Sequence, residues 1–153
     1  MLTLRTEIAI AAPARRVWDV LTDFAAFPRW NPFIRQIEGL LAPRMRLRVK
    51  IQPPGGRAMT FHPTVLRVDD ERRFAWRGRT LVPGLFDGEH FFEVEPLGPD
   101  HVRLVHGEHF RGLLVPLLAR TLRTTTREGF ERMNAALKAR AERGADAAEG
   151  RDG

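Results

Sequence analysis

Few side chains in this sequence are equipped for chemistry. It has no cysteine, no serine and no tyrosine, which removes thiolates, serine nucleophiles and phenolic acids from consideration. A glycine-rich phosphate loop, a His-Glu-x-x-His zinc helix and a nucleophile-elbow serine are also missing. What remains is five histidines, His62, His90, His101, His106 and His109, with Glu108 between the last two. Alternation along strands sorts them. His90 shares its parity with Phe86, Phe92 and Val94, while Glu89, Glu93 and Glu95 take the other face. Val102, Leu104, His106, Glu108 and Phe110 form a second apolar row, opposite His101, Arg103, His109 and Arg111. His90, His106 and Glu108 therefore point inward, and His101 and His109 outward. His62 alternates with Phe61 in a segment apolar on both sides, so parity leaves its side open.

If the turn Gly98-Pro99-Asp100 joins two adjacent antiparallel strands, same-face partners have numbers summing to about 196 or 198. His90 then stands opposite His106 or Glu108. Burying two imidazoles and a carboxylate costs several kcal/mol unless they pair. Three uses fit the trio: a structural pair held by Glu108, a polar anchor for a ligand head, or an acid and base for catalysis. Two His and one Glu would also suit iron or zinc, but nothing in the spacing demands a metal and none is expected, nor any other cofactor.

These residues need a scaffold, and the chain supplies one. From Leu113 to Arg143, Leu118, Leu122, Thr126, Phe130, Met133 and Leu137 recur at steps of four and three, the mark of one helix face. Such a helix is about 40 to 45 Å long and needs a broad apolar surface to lie on, which a curved sheet provides. Thr126 and Gly129 interrupt the face where a dense core would place leucine, so a hollow is expected beneath them. At the other end, Leu2, Leu4, Thr6, Ile8 and Ile10 alternate with polar residues as a half-buried strand. Pro13 then opens a short helix running to about Phe24 through Val17, Val20 and Leu21. Pro28 and Pro32 bracket a second short helix or turn whose Phe27, Trp30 and Phe33 read as a plug at one end of the core. Six more strands follow, approximately 33–40, 44–52, 58–68, 72–79, 85–95 and 101–111, joined by Pro, Gly and Asp turns. The loops at 53–57 and 80–84 and the junction after Arg111 fall at one end of this meander. Thr80 to Gly84 and Gly112 to Pro116 are apolar for connections, either the rim of an opening or a packed end cap.

Composition bounds the rest. A chain of 153 residues is expected to fold as one domain over 1–143, with a disordered tail at 144–153. Its formal charge of +6 comes from arginine scattered along the polar half of each alternation, with only Lys50 and Lys138 besides. No aromatic-interleaved basic block accompanies it, so nucleic acid is not an expected partner. The N-terminus lacks the apolar core of a signal peptide and no stretch suits a membrane span, which leads to an expected cytoplasmic location without stable membrane insertion.

Strand, two short helices, six strands and a long C-terminal helix make an α+β helix-grip arrangement, a curved seven-stranded antiparallel sheet wrapped around the last helix. The segments Ala9-Ile-Ala-Ala-Pro-Ala-Arg-Arg-Val-Trp-Asp-Val-Leu-Thr-Asp-Phe24, Phe27-Pro-Arg-Trp-Asn-Pro-Phe33, Arg103-Leu-Val-His-Gly-Glu-His-Phe-Arg-Gly112 and Phe130-Glu-Arg-Met-Asn-Ala-Ala-Leu-Lys138 resemble the START-related (Bet v 1-like) superfamily, in its polyketide cyclase/dehydrase-like branch. The resemblance covers residues 1 to about 143 and rests on packing motifs. It implies a cavity and an apolar or aromatic ligand. It transfers no active-site residue, because the superfamily's carriers, allergens, cyclases and chaperone activators share no catalytic set.

The leading expectation is a carrier or sensor that holds a lipid, polyketide or quinone-like molecule between sheet and helix. Phe74, Trp76, His90, Phe92, His106, Glu108, Phe110, Phe130 and Met133 are its expected contacts. The alternatives are a cyclase, aromatase or dehydratase with His90, His106 and Glu108 as candidate catalytic residues, and an interaction module that docks through the apolar rim. The chain is expected to act as a monomer or homodimer.

Overall fold

The computed structural model describes residues 1–79 and 82–149, with side chains described as far as 143. Its elements follow the expected order: β1 (Leu2–Ile10), α1 (Ala14–Thr22), a 3-10 turn (Phe24–Ala26), α2 (Phe27–Trp30), β2 (Ile34–Glu38), β3 (Arg48–Ile51), β4 (Met59–Phe61), β5 (Thr64–Asp69), β6 (Arg73–Arg79), β7 (Asp87–Gly98) and β8 (His101–Arg111). The C-terminal helix then runs as α3 (Val115–Thr121), a π-helical turn (Leu122–Thr126) and α4 (Arg127–Glu149). The expected tail at 144–153 lies outside the residues whose side chains are described.

All strand pairs are antiparallel, in a five-stranded sheet ordered β1-β8-β7-β6-β5 and a three-stranded sheet ordered β2-β3-β4. This is the helix-grip arrangement with one difference, since the sequence reading had a single seven-stranded sheet. The expected strand at 58–68 breaks at Pro63, which has no N–H to give to a ladder. Its two halves, β4 and β5, belong to different sheets. The expected strand at 44–52 bridges that break. Its first half bonds to β5, with Arg44 N donating to Val65 O at 2.8 Å, Val65 N to Met45 O at 2.8 Å and Leu47 N to Pro63 O at 2.9 Å. Its second half is β3, between β2 and β4. The two sheets are thereby stitched into one bent wall.

Helix α4 lies in the concavity on a core that includes Leu4, Ile10, Leu21, Phe74, Phe92, Leu104, Met133 and Leu137, each at most 2 % exposed. A polar clasp fixes it along β1: Lys138 Nζ donates to Ala9 O at 3.0 Å, and Ala11 N donates to Glu142 Oε1 at 2.9 Å. Among the described residues, no helix is long and apolar enough to cross a membrane.

Candidate functional site

Between the π-helical turn and the bent wall lies a cavity of about 290 Å³. Leu118, Leu122, Thr125, Thr126 and Phe130 line it from the helix, and Val49, Ile51, Met59 and Phe61 from the smaller sheet. From the larger sheet come Trp76, Gly78, Arg79, Gly88, His90, Glu108 and Phe110, and from the connection just before β7 comes Phe86. Met59 and Arg79 are exposed, so the cavity opens to solvent on their side. The surface inside is almost wholly hydrocarbon and aromatic.

Why a hollow forms here follows from strand register. Side chains of one parity form rows that run straight across the sheet, two residues apart. One row is Phe74, Phe92, His106 and Thr6; the next is Trp76, His90, Glu108 and Leu4; the third is Gly78, Gly88, Phe110 and Leu2. The first row packs under α4. The third contains two facing glycines, and a Cβ built at Gly78 would meet nothing within 4 Å. With those side chains missing from the floor, and the helix face overhead carrying Thr125 and Thr126, the third row and the helix fail to meet. The middle row is the boundary between packed core and cavity.

The nine expected contacts divide along these rows. Trp76, His90, Glu108, Phe110 and Phe130 line the cavity. Phe74, Phe92, His106 and Met133 do not; they are at most 1 % exposed and pack in the core behind it. Phe74 is held by Trp18 at 5.8 Å and Phe92 at 5.0 Å between ring centroids. The expected hollow lies under Thr126 but not under Gly129, where the Phe33 ring fills the space and a Cβ would come within 2.6 Å of it. Phe33, read from sequence as an end plug, also borders the cavity. Of the apolar loops, Thr80 and Leu81 lie outside the described residues. The remainder of that loop bonds to the junction after β8, with Leu113 N donating to Gly84 O at 3.1 Å and Leu114 N to Leu85 O at 3.0 Å. Leu113 and Leu117 are more than 80 % exposed and border no part of the cavity.

The inward trio meets as the register requires. His90 pairs with Glu108 and Phe92 with His106, the register whose numbers sum to 198. His90 Nδ1 lies 3.1 Å from Glu108 Oε1, and His90 Nε2 lies 2.7 Å from His106 Nε2. That second distance is a hydrogen bond, too short for a metal bridging the two rings, which at bonds of about 2.0–2.1 Å would hold them roughly 3.4 Å apart. Among the described residues, no cluster suits a metal ion. His106 is sandwiched by Phe130 at 4.1 Å and Phe92 at 4.3 Å. Burial, and then the charge of His90, push its pKa well below the ordinary histidine value, opposed by the Asn134 side chain and the Phe130 backbone. His101 is exposed, and His109 sits on the outer face, bonded to Thr3 Oγ1 at 2.9 Å. His62, undecided from parity, is exposed in the turn between β4 and β5.

Two members of the polar cluster were not singled out from sequence. Asn134 Oδ1 lies 2.9 Å from His106 Nδ1, and Asn134 Nδ2 donates to Thr6 Oγ1 at 2.8 Å. Both are buried. The signals existed: Thr6 lies in the inward row of β1, and Asn134 follows Phe130 by one turn between Met133 and Leu137.

A family model described as polyketide cyclase / dehydrase and lipid transport matches residues 1–142. The chain belongs to that family. Solved structures agree on the fold. An aromatase/cyclase, ZhuI from Streptomyces sp. R1128, superposes with a TM-score of 0.74 at 21% identity, over 93% of this chain and 94% of the other. A START superfamily protein from Mycobacterium smegmatis gives 0.73 at 24% identity, over 92% and 97%. The chain spans 47% of the di-domain aromatase/cyclase BexL of the BE-7585A biosynthetic pathway, with 90% of its own length matched, a TM-score of 0.71 and 16% identity. No curated protein matches the chain. The family model brings a fold used for polyketide and lipid ligands, and the solved structures bring the fold alone.

Proposed function

We propose that this member of the polyketide cyclase / dehydrase and lipid transport family binds an apolar or aromatic small molecule, such as a lipid, polyketide or quinone-like compound, as a cytoplasmic carrier or sensor. The observation that carries this reading is an apolar cavity of about 290 Å³ with a hydrogen-bonding pair on its wall, the buried His90 and the half-buried Glu108. Pockets with mostly apolar walls and a few placed polar groups are the usual form of small-molecule sites. Trp76, Phe110 and Phe130 supply flat contact area, and the pair orients whatever polar group the ligand carries.

The test is a ligand panel of fatty acids, sterols, quinones and aromatic polyketides, read by thermal denaturation and by native mass spectrometry of freshly purified protein. A true ligand at a hundredfold excess over its Kd stabilises the fold by about 2.7 kcal/mol. A panel without any shift, together with protein carrying no bound small molecule, would defeat the proposal.

A second reading rests on the same pair. Glu108 and His90 both border the cavity and are hydrogen-bonded to each other, the arrangement of an acid or base for cyclisation or dehydration of a bound polyketide-like substrate. Turnover of such a substrate that Glu108→Gln abolishes while leaving binding intact would favour the enzyme over the carrier.

A further inference from the structure

Glu108 and His90 are the outer end of a chain of hydrogen bonds whose direction is set at its inner end by one backbone carbonyl. The His106 carbonyl only accepts, so the Thr6 hydroxyl, 2.7 Å away, gives it its single proton. Thr6 Oγ1 is then free to accept from Asn134 Nδ2 at 2.8 Å. That turns Asn134 Oδ1 toward His106 Nδ1, 2.9 Å away, which must carry the hydrogen. The ring of His106 is fully buried between two phenyl groups and stays neutral, leaving its Nε2 bare. His90 Nε2, at 2.7 Å, therefore donates to it. One bond remains, between His90 Nδ1 and Glu108 Oε1 at 3.1 Å. A neutral ring with its hydrogen on Nε2 and a carboxylate would meet there lone pair to lone pair, so that contact holds one further proton.

On nitrogen, that proton makes an imidazolium and a carboxylate; on oxygen, a neutral ring and a carboxylic acid. Either way the pair has no net charge. In both states Glu108 Oε2 is an acceptor, because the only proton lies on the side of Oε1. Oε2 has no hydrogen-bond partner among the described residues. Access to the carboxylate is kept by Gly88, where a Cβ would stand 3.1 Å from Glu108 Cδ and 3.5 Å from Oε2. Both residues border the cavity.

We infer that the cavity selects an uncharged hydrogen-bond donor on an otherwise apolar ligand, a phenolic or enolic hydroxyl placed on Glu108 Oε2, and that Thr6 and Asn134 are positioning residues that keep the receiving pair neutral. This rests on the reading of the cavity as a ligand site. A methyl ether offers Oε2 no hydrogen. A carboxylate sets its own lone pairs against it and finds, among the described lining residues, a basic side chain only at the exposed Arg79 of the mouth. An ammonium group loses its hydration and meets no net negative charge.

Four probes of one shape test this by isothermal titration calorimetry at neutral pH: 2-naphthol, 2-methoxynaphthalene, 2-naphthoate and 2-naphthylmethylammonium. The wild-type protein should bind 2-naphthol about ten- to hundredfold more tightly than the other three. Glu108→Leu should close the gap between naphthol and ether. Glu108→Gln should preserve it, because the amide nitrogen can donate to His90 Nδ1 and leave its carbonyl in the place of Oε2. Thr6→Val is close in shape and releases the Asn134 amide to turn over, which lets the chain run backwards and leaves the pair negative. It should shift the ratio of ammonium to naphthol binding several-fold toward ammonium, a change that a purely structural Thr6 would not produce. Equal binding of naphthol and ether by folded wild-type protein overturns the inference and leaves the cavity reading standing; failure of all four probes overturns both. Preference for ammonium or naphthoate in the wild type, or a Thr6→Val protein of unchanged selectivity, refutes the neutral, oriented pair.

Discussion

Acid should destabilise this protein through His106. The ring is 0 % exposed, stacked on Phe130 with an interplanar angle of 9°, with its two nitrogens 2.9 Å from Asn134 Oδ1 and 2.7 Å from His90 Nε2. Burial and the neighbouring His90 hold its pKa well below 6.5 in the folded protein. The unfolded chain titrates near 6.5, so below that pH the unfolded state binds the proton and the folded state does not. Stability is therefore complete above about pH 6.5 and falls as pH drops toward the folded value, with a slope of about 1.4 kcal/mol per pH unit. Each pH unit of that window removes a noticeable share of the roughly 5–15 kcal/mol that holds a domain together. Urea unfolding across pH 5 to 7.5 measures it, with His106→Asn as the non-titrating comparison. The wild-type advantage over the variant should shrink as pH falls below 6.5, and nitrogen-15 NMR should show His106 still neutral at pH 6.5, with its hydrogen on Nδ1. Parallel stability curves, or an imidazolium signal from His106 above pH 6, would refute the account of a buried neutral ring.

Three further substitutions have outcomes fixed by what each side chain meets. Gly78→Val places a β-branched side chain in open space on the cavity floor, and should raise stability by up to about 1 kcal/mol while reducing ligand affinity at least tenfold, read by thermal denaturation and calorimetry. Gly107→Ala should destabilise by about 3 kcal/mol or more, because the new methyl would stand 2.6 Å from Leu4 O. Phe91 covers the same spot, yet adding Phe91→Ala should not rescue it, since the carbonyl on the paired strand remains; urea unfolding of single and double variants checks this. Asn134→Leu removes the side-chain acceptor of the His106 Nδ1 hydrogen and should cost about 1–3 kcal/mol in the same assay.

Much of this was legible in the residues themselves. Strand parity is a local property of the backbone, so the inward direction of His90, His106 and Glu108 followed from it, and a short turn at 98–100 narrowed their pairing to two registers. The long helix showed itself by its spacing, and the two helices after β1 by their prolines. Parity assigns a face but not a depth, however. Phe74 and Trp76 are indistinguishable by alternation, and one fills the core while the other borders a hollow. That difference is made where the helix meets the sheet: by Phe33 swinging under Gly129, by the π-helical turn at 122–126, and by two glycines, 78 and 88, brought face to face from separate strands. The break at Pro63 belongs to the same class, because its carbonyl is taken by Leu47, sixteen positions earlier. So does the direction of the proton chain, which joins β1, β7, β8 and α4. A cavity is space that several elements decline to fill, and a hydrogen-bond chain is a set of donors with few remaining acceptors; both depend on atoms far apart in the chain becoming neighbours, which no local periodicity encodes.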